Sequence, residues 1–288
     1  MLAAAAALMA TMLPGLASAA PQFGSSGPIS IPGKGAATPY PSTINVSRVF
    51  GLVTDINVTV DGFSHPRPRE ADLLLVGPSG ANTLIMSDVG GESPVSDLTV
   101  IFDDEAAARL SPTAVLTSGR FKPANPATGD VLPPPAPTPN KLATLRRFVH
   151  SNPNGQWKLF VHDGGGAAES GTMSGWRLEI TAAVPSVGKA KVREGRSVTF
   201  SVRLSSAMPA GADPVVLTFR TVKGTAKAGE DFTAKSGTIS FPAGKSVIKV
   251  SVQTRDDGRR EHTERFFLKV TEPTGGTARG RGRIRDND

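Results

Sequence analysis

The last third of the chain scatters carboxylates through stretches that read as turns. Glu194 lies in Arg-Glu-Gly, Asp231 in Ala-Gly-Glu-Asp-Phe, then come Asp256-Asp257, Glu261 and Glu264, with Asp286 and Asp288 at the end. A hard divalent cation such as calcium takes roughly six to eight oxygen ligands, largely carboxylates from flexible loops. Acids this far apart can serve such an ion only if their loops meet at one end of a β-sandwich. In the first half, Asp72 precedes an apolar run and either ligates calcium or hydrogen-bonds a turn, and Asp88 and Asp163 sit near glycines with the same two readings. Ca2+ is therefore the expected cofactor.

Other chemistries find little support. The chain has no cysteine, which excludes a disulfide scaffold, a Cys-ligated zinc, an iron–sulfur site and a thiol nucleophile. Its 4 histidines are too scattered for a zinc site. There is no G-x-S-x-G elbow, P-loop or H-E-x-x-H. His65 beside Ser64, shortly before Asp72, suggests a triad, but a triad needs its base within hydrogen-bond reach of its nucleophile. The three separate contexts of a subtilisin-like protease are missing. Gly171-Thr172-Met173-Ser174-Gly175 echoes a subtilisin nucleophile region but reads as a hairpin turn with Trp176 entering the next strand. The expectation is a protein without catalysis.

The elements that must position these groups read as strands. In 288 residues there are 31 Gly and 24 Pro, which favours turns and short strands over long helices and predicts an all-β fold. Ile56, Val58 and Val60 alternate with polar residues, as do Leu98, Val100 and Phe102, then Trp157, Leu159 and Val161, and Trp176, Leu178 and Ile180. Leu73–Val76 is a continuous apolar run and predicts a strand buried on both faces. Both tryptophans read as core anchors. Only 103–116 and 141–149 could hold a helical turn. The proline-rich stretch 132–139 reads as a surface loop inside the first domain. Further alternating runs follow from Val198, Val215, Ile239, Val247 and Phe266, spaced as in a β-sandwich.

Residues 1–19 read as a signal peptide, with an apolar core too short to span a bilayer comfortably and the small-x-small sequence Ala17-Ser18-Ala19 at the cleavage site. No other segment is a transmembrane candidate, so the expected location is secreted or at the cell surface. Residues 20–43 read as a linker or a loosely pinned first strand, 44–182 as one domain and 184–288 as a second. Charge divides unevenly: the part before residue 184 is net −2 and the rest net +9, against +7 for the chain. Arg279, Arg281, Arg283 and Arg285 alternate with Gly280, Gly282 and Ile284, so a strand would place all four on one face. That face is either ordinary solvated surface or a stripe for a polyanion such as lipopolysaccharide, acidic polysaccharide or nucleic acid. No aromatics interleave the arginines, which argues against specific nucleic-acid recognition.

Three phrases of the first block carry a resemblance: Gly62-Phe63-Ser64-His65 with Asp72–Gly80, Asn154–Asp163, and Gly171–Leu178. Over about 44–182 they resemble the P domain (P/Homo B) that follows the catalytic domain of proprotein convertases. The resemblance implies a jelly-roll β-sandwich that serves as a binding module or as an accessory piece of a secreted subtilisin-like serine endopeptidase. The second block resembles the Calx-beta domain over about 184–288. Val192–Gly195, Thr221–Ala226, Ala228–Phe232, Gly237–Phe241, Asp256-Asp257, Glu264–Phe266 and Ile284–Asp288 occur in the family's order. That resemblance implies an immunoglobulin-like sandwich and makes Glu194, Asp231, Asp256, Asp257, Glu264, Asp286 and Asp288 calcium-ligand candidates, with Glu261 beside them. Asn287 interrupts the family's consecutive terminal acids, and Arg255, Arg259 and Arg260 stand where they could neutralise the aspartate pair instead. The partners implied are a secreted subtilisin-like protease or a cell-surface polymer, and the function calcium-assisted extracellular binding or adhesion.

Overall fold

The computed structural model describes residues 20–288 apart from 26, 128, 167–169 and 209–212. The expected signal peptide, 1–19, lies outside the described residues. The chain is all-β, in two successive sandwiches. The first contains β1 (Gln22–Gly24), β2 (Ile29–Ile31), β3 (Gly35–Ala36), β4 (Ser42–Val46), β5 (Leu52–His65), β6 (Ala71–Val76), β7 (Asn82–Met86), β8 (Val95–Phe102), β9 (Gly119–Phe121), β10 (Gly155–Asp163), β11 (Gly171–Met173) and β12 (Gly175–Ala183). One sheet runs β1-β12-β5-β11-β2 with β8 beside β5 and β9 beyond β8, and the other runs β3-β10-β6-β7 with β4 against β10. Period-two alternation sends Val58, Val60, Trp176 and Leu178 from one sheet and Leu73, Leu75, Trp157 and Leu159 from the other into a common core. Each indole N–H is satisfied inside it: Trp157 Nε1 donates to the Pro153 carbonyl at 2.9 Å, and Trp176 Nε1 to the Ser42 hydroxyl at 3.0 Å.

The segment 20–43 is not a tether between folded parts. β1 extends the larger sheet along β12, β2 pairs with β11, and β3 pairs with β10. Ile29 and Ile31 are fully buried. Its proline and glycine content marks turns between very short strands. Of the two windows that could hold a helical turn, 141–149 contains the 3-10 turn Leu145–Phe148 and 103–116 contains none, while a second 3-10 turn forms at Pro68–Glu70. The apolar run of β6 is buried on both faces. Leu73 and Leu75 enter the main core, whereas Leu74 and Val76 join Leu84, Phe160 and Leu132 on the far side. The proline-rich loop is the cover there, pinned where the Tyr40 hydroxyl donates to the Pro133 carbonyl at 2.8 Å.

His65 ends β5 and meets Asp163 at the end of β10, with Nε2 3.0 Å from Oδ2 and both side chains buried. The His65 Nδ1 accepts the Arg67 N–H, and Asp163 Oδ1 accepts the Gly165 N–H. Both nitrogens are engaged and water is excluded, so the pair ties one sheet to the other and presents no base to a substrate. Gly171 lies against this imidazole, and a Cβ there would fall 2.4 Å from the ring.

The second sandwich contains β13 (Pro185–Val187), β14 (Ala190–Arg193), β15 (Ser197–Leu204), β16 (Val215–Lys223), β17 (Ser236–Phe241), β18 (Val247–Gln253), β19 (Glu264–Thr271) and β20 (Thr277–Arg285). Its sheets are β13-β15-β18 and β14-β20-β19-β16-β17. At the centre Phe232 stacks on Phe266 and Phe200 meets it edge-on, with centroids 4.3 and 5.6 Å from Phe266. The glycines between the arginines of β20 face inward. A Cβ on Gly282 would meet the Phe200 and Phe266 rings at 2.8–2.9 Å, and one on Gly280 would meet the Gly188 carbonyl oxygen at 2.4 Å. Leu52 and Ala183 pack with this second core, at the join of the two units.

Two substitutions test this architecture by urea denaturation. Asp163→Ala strands a buried imidazole and should cost about 3–5 kcal/mol. Gly280→Ala drives a methyl into backbone and should cost about 1–3 kcal/mol.

Candidate metal centre

The acidic residues are gathered by strand ends. β14 and β20 run parallel with Arg193 opposite Arg285, so both strands leave the sheet at one end and release Glu194 and Asp286 side by side. The Glu194 N–H donates to the Arg285 carbonyl at 2.9 Å. β19 enters antiparallel to β20 at that same end, placing Glu264 opposite Ile284. The loop after β18 comes in beneath, where the Thr254 N–H donates to Arg196 O and the Arg255 N–H to Asp231 O.

Two carboxylate groups result. Glu194, Asp286 and Asp288 offer oxygens within 4.8 Å of one another, and so do Asp231, Glu261 and Glu264. Asp286 joins them: its Oδ2 accepts the Glu261 N–H at 2.8 Å and its Oδ1 the Asp288 N–H at 3.1 Å. Asp256 stands at the edge of the first group, where its Oδ1 accepts from Asn287 Nδ2 at 3.3 Å. Asn287, which breaks the terminal run of acids, thus braces Asp256 against the tip. Asp257 stays out: it is exposed and accepts the Arg259 N–H in its own turn. Among the described residues no ion pair joins Arg255, Arg259 or Arg260 to Asp256 or Asp257. The arginines therefore leave the tip's negative charge in place.

The decisive atom is Glu194 Oε1. It is buried and has no hydrogen-bond partner. Burial, with the charges of Asp286, Asp256 and Asp288, pushes the Glu194 carboxyl up to about 7. Glu264 is pushed to about 7 by burial first and then by its hydrogen bond and charge contact with Asp231. Asp286 is held below its ordinary value by the N–H groups of Asp288 and Glu261. A buried, unpartnered carboxylate oxygen among all-oxygen donors fits a hard cation, which would both neutralise and coordinate it.

Asp72 lies elsewhere, in β6 of the first sandwich. Its Oδ1 accepts the Ser87 hydroxyl at 2.6 Å and its Oδ2 is 3.5 Å from His162 Nδ1, so it hydrogen-bonds its neighbours and is in none of the three-acid groups found among the described residues. Asp88 follows Ser87 with its carboxyl raised chiefly by burial, and Asp163 belongs to the buried pair with His65. A further group, Asp55, Asp103 and Glu105, escaped the sequence reading. Its signal was the outward alternation of Asp55 with Ile56 in β5, whose partner strand ends just before Asp103. Arg120 Nη1 donates to Asp103 at 2.6 Å and supplies counter-charge there, while burial and the neighbouring acids lift Glu105 to about 7.

The tip makes the metal-free protein pH-sensitive in a defined sense. A carboxyl whose folded value is raised from about 4.5 to about 7 contributes stability below pH 4.5 that is lost as pH rises through 7. Asp286, depressed, acts in the opposite sense and only as pH falls below the ordinary aspartate range. In calcium-depleted protein the Tm should fall between pH 5 and pH 8, and Glu194→Gln should flatten that fall; an equal slope in the variant would contradict the assignment.

Among curated proteins none matches this chain. Of solved structures, it is similar to the apo-form Calx CBD1 domain at 23% identity, covering 36% of this chain and 96% of that chain with a TM-score of 0.30. The Calx CBD2 domain is 13% identical over 35% of this chain and 85% of that chain, TM-score 0.29. The CBD12 structure from CALX1.2 is 23% identical with a TM-score of 0.32, over 36% of this chain, which spans 45% of it. The family model of the Calx-beta domain matches residues 186–285, the sandwich that carries the acidic tip.

Proposed function

We propose that the acidic tip binds calcium and that the protein is an exported, non-catalytic module for extracellular binding or adhesion. The observation that carries the calcium reading is the buried, unpartnered Glu194 Oε1 amid Asp286 and Asp288. The Calx-beta match supports it, since that family consists of calcium-binding β-sandwich domains. Glu194, Asp286 and Asp288, with Asp256 at their edge, would hold one ion, and Asp231, Glu261 and Glu264 a second. The ion would supply positive charge that cancels carboxylate repulsion and locks three loops and the chain's last residues to one another. Export rests on the reading of residues 1–19. The accessory-module alternative, beside a secreted subtilisin-like protease, rests on the P-domain-like phrases of the first sandwich, and co-purification of such a protease would favour it.

Calorimetric titration of the calcium-stripped full chain tests the reading. At free calcium a hundred times Kd, binding adds about 2.7 kcal/mol, a Tm rise on the order of 10 °C for a unit this size. Glu194→Gln and Asp286→Ala should each weaken binding by about tenfold or more, whereas Asp257→Ala should change it by less than about twofold. Absence of both heat and Tm shift at millimolar calcium would refute calcium binding here.

A further inference from the structure

The outward face of the five-stranded sheet in the second sandwich concentrates cations that form no ion pairs among the described residues. Pairing sets them in rungs. Lys191, Arg283 and Arg265 lie directly across from one another on β14, β20 and β19. Arg193 faces Arg285 in the next rung, and on the other side Arg279, Lys269 and Arg220 continue the pattern across β20, β19 and β16. Rungs are about 4.8 Å apart strand to strand, and successive arginines of β20 about 7 Å apart along it. Like charges directly opposite destabilise a sheet. The five strands contain one acid, Glu264, and it stands opposite Ile284 on the buried face.

The other sheet of the same sandwich shows what an ordinary solvated face looks like. Its outward rungs are Ser197 with Gln253, Thr199 with Ser251, Ser201 with Lys249 and Arg203 with Val247, two of them closed by side-chain hydrogen bonds of 2.7 and 2.8 Å and none pairing two cations. The cationic face has no such closure. Its relief is also uneven. A recess of about 250 Å³ lies between Lys189, Lys191, Arg281 and Arg283, and one of about 300 Å³ lies beyond, where Arg265, Arg281, Arg283 and Arg285 outnumber the single acid at its edge, Glu264.

We propose that this face binds an acidic polysaccharide, a polymer carrying sulfate or carboxylate groups that enter the two recesses flanking Arg281 and Arg283. Guanidinium forks pair such planar or tetrahedral oxyanions through two hydrogen bonds at once. The only aromatic ring of the face, Phe267, is covered by the Arg279 guanidinium at 3.9 Å, which leaves no free ring for stacking nucleic-acid bases. Recessed cations suit groups that project from a rope-like chain, whereas a planar lipid surface would reach only the outermost guanidinium tips. This inference takes from the proposed function only the external location where such polymers occur, and it needs no calcium.

The test uses the full chain and immobilised dextran sulfate, with neutral dextran as the blank, in excess chelator. Arg265→Gln/Arg281→Gln/Arg283→Gln should weaken binding by about tenfold or more and flatten its log–log salt dependence by roughly two to three. A charge-matched control away from these recesses, Arg203→Gln/Lys245→Gln/Lys249→Gln, should weaken it by about twofold or less. The face variant should melt no lower than the parent, since it removes opposed like charges, and should keep its calcium-induced Tm rise, so the two readings can fail separately. Equal weakening in both variants would reduce the effect to net charge and overturn the proposal. Tighter binding of oligothymidylate, or of vesicles rich in phosphatidylserine, through the same arginines would overturn it as well.

Discussion

The second sandwich depends on one parallel strand pair. β14 is short, yet its alignment with β20 decides both polar features of the unit. Because the strands are parallel and in register at Arg193 and Arg285, their exits coincide, and Glu194 and Asp286 emerge together. Because paired residues point to the same side, Lys191 and Arg193 also join the arginines of β20 on one face. An antiparallel β14 would have sent Glu194 to the opposite end and left the tip one buried carboxylate short.

That alignment makes charge segregation, not charge balance, the theme of this unit. Acids sit at the end of the sandwich and cations on its flank, with few ion pairs between them. Both arrangements oppose stability in the isolated chain: carboxylates raised to about 7 at the tip, and like charges rung upon rung on the sheet. The aromatic cluster of Phe200, Phe232 and Phe266 and the inward glycines of β20 provide the packing that tolerates them. Repulsion held open by a rigid core is a reservoir that a counter-ion can relieve.

The first sandwich solves a different problem. Its smaller sheet is apolar on both sides, and the far side would face water if the proline-rich loop did not lie across it. Proline suits that task, since it lays down extended backbone without an N–H to satisfy. One buried titratable pair in this unit, His65 with Asp163, acts as a tie between its two sheets.

The sequence by itself determined the class of fold, the strands of each core and the acid-bearing turns, because alternation at period two and glycine–proline turn chemistry are local properties. It also pointed to β6 as a strand buried on both faces, since an unbroken apolar run has no polar side to turn to water. It did not show that residues 20–43 are woven into two sheets, for strands of two or three residues carry too little periodicity to separate from linker. Nor could it separate Asp257 from Asp256, which are neighbours in the chain but diverge in space, or reveal the Asp55, Asp103 and Glu105 group. Those outcomes belong to tertiary structure: which carboxylates meet, and which arginines share a rung, follow from strand direction and register, set by long-range packing rather than by any local run of residues.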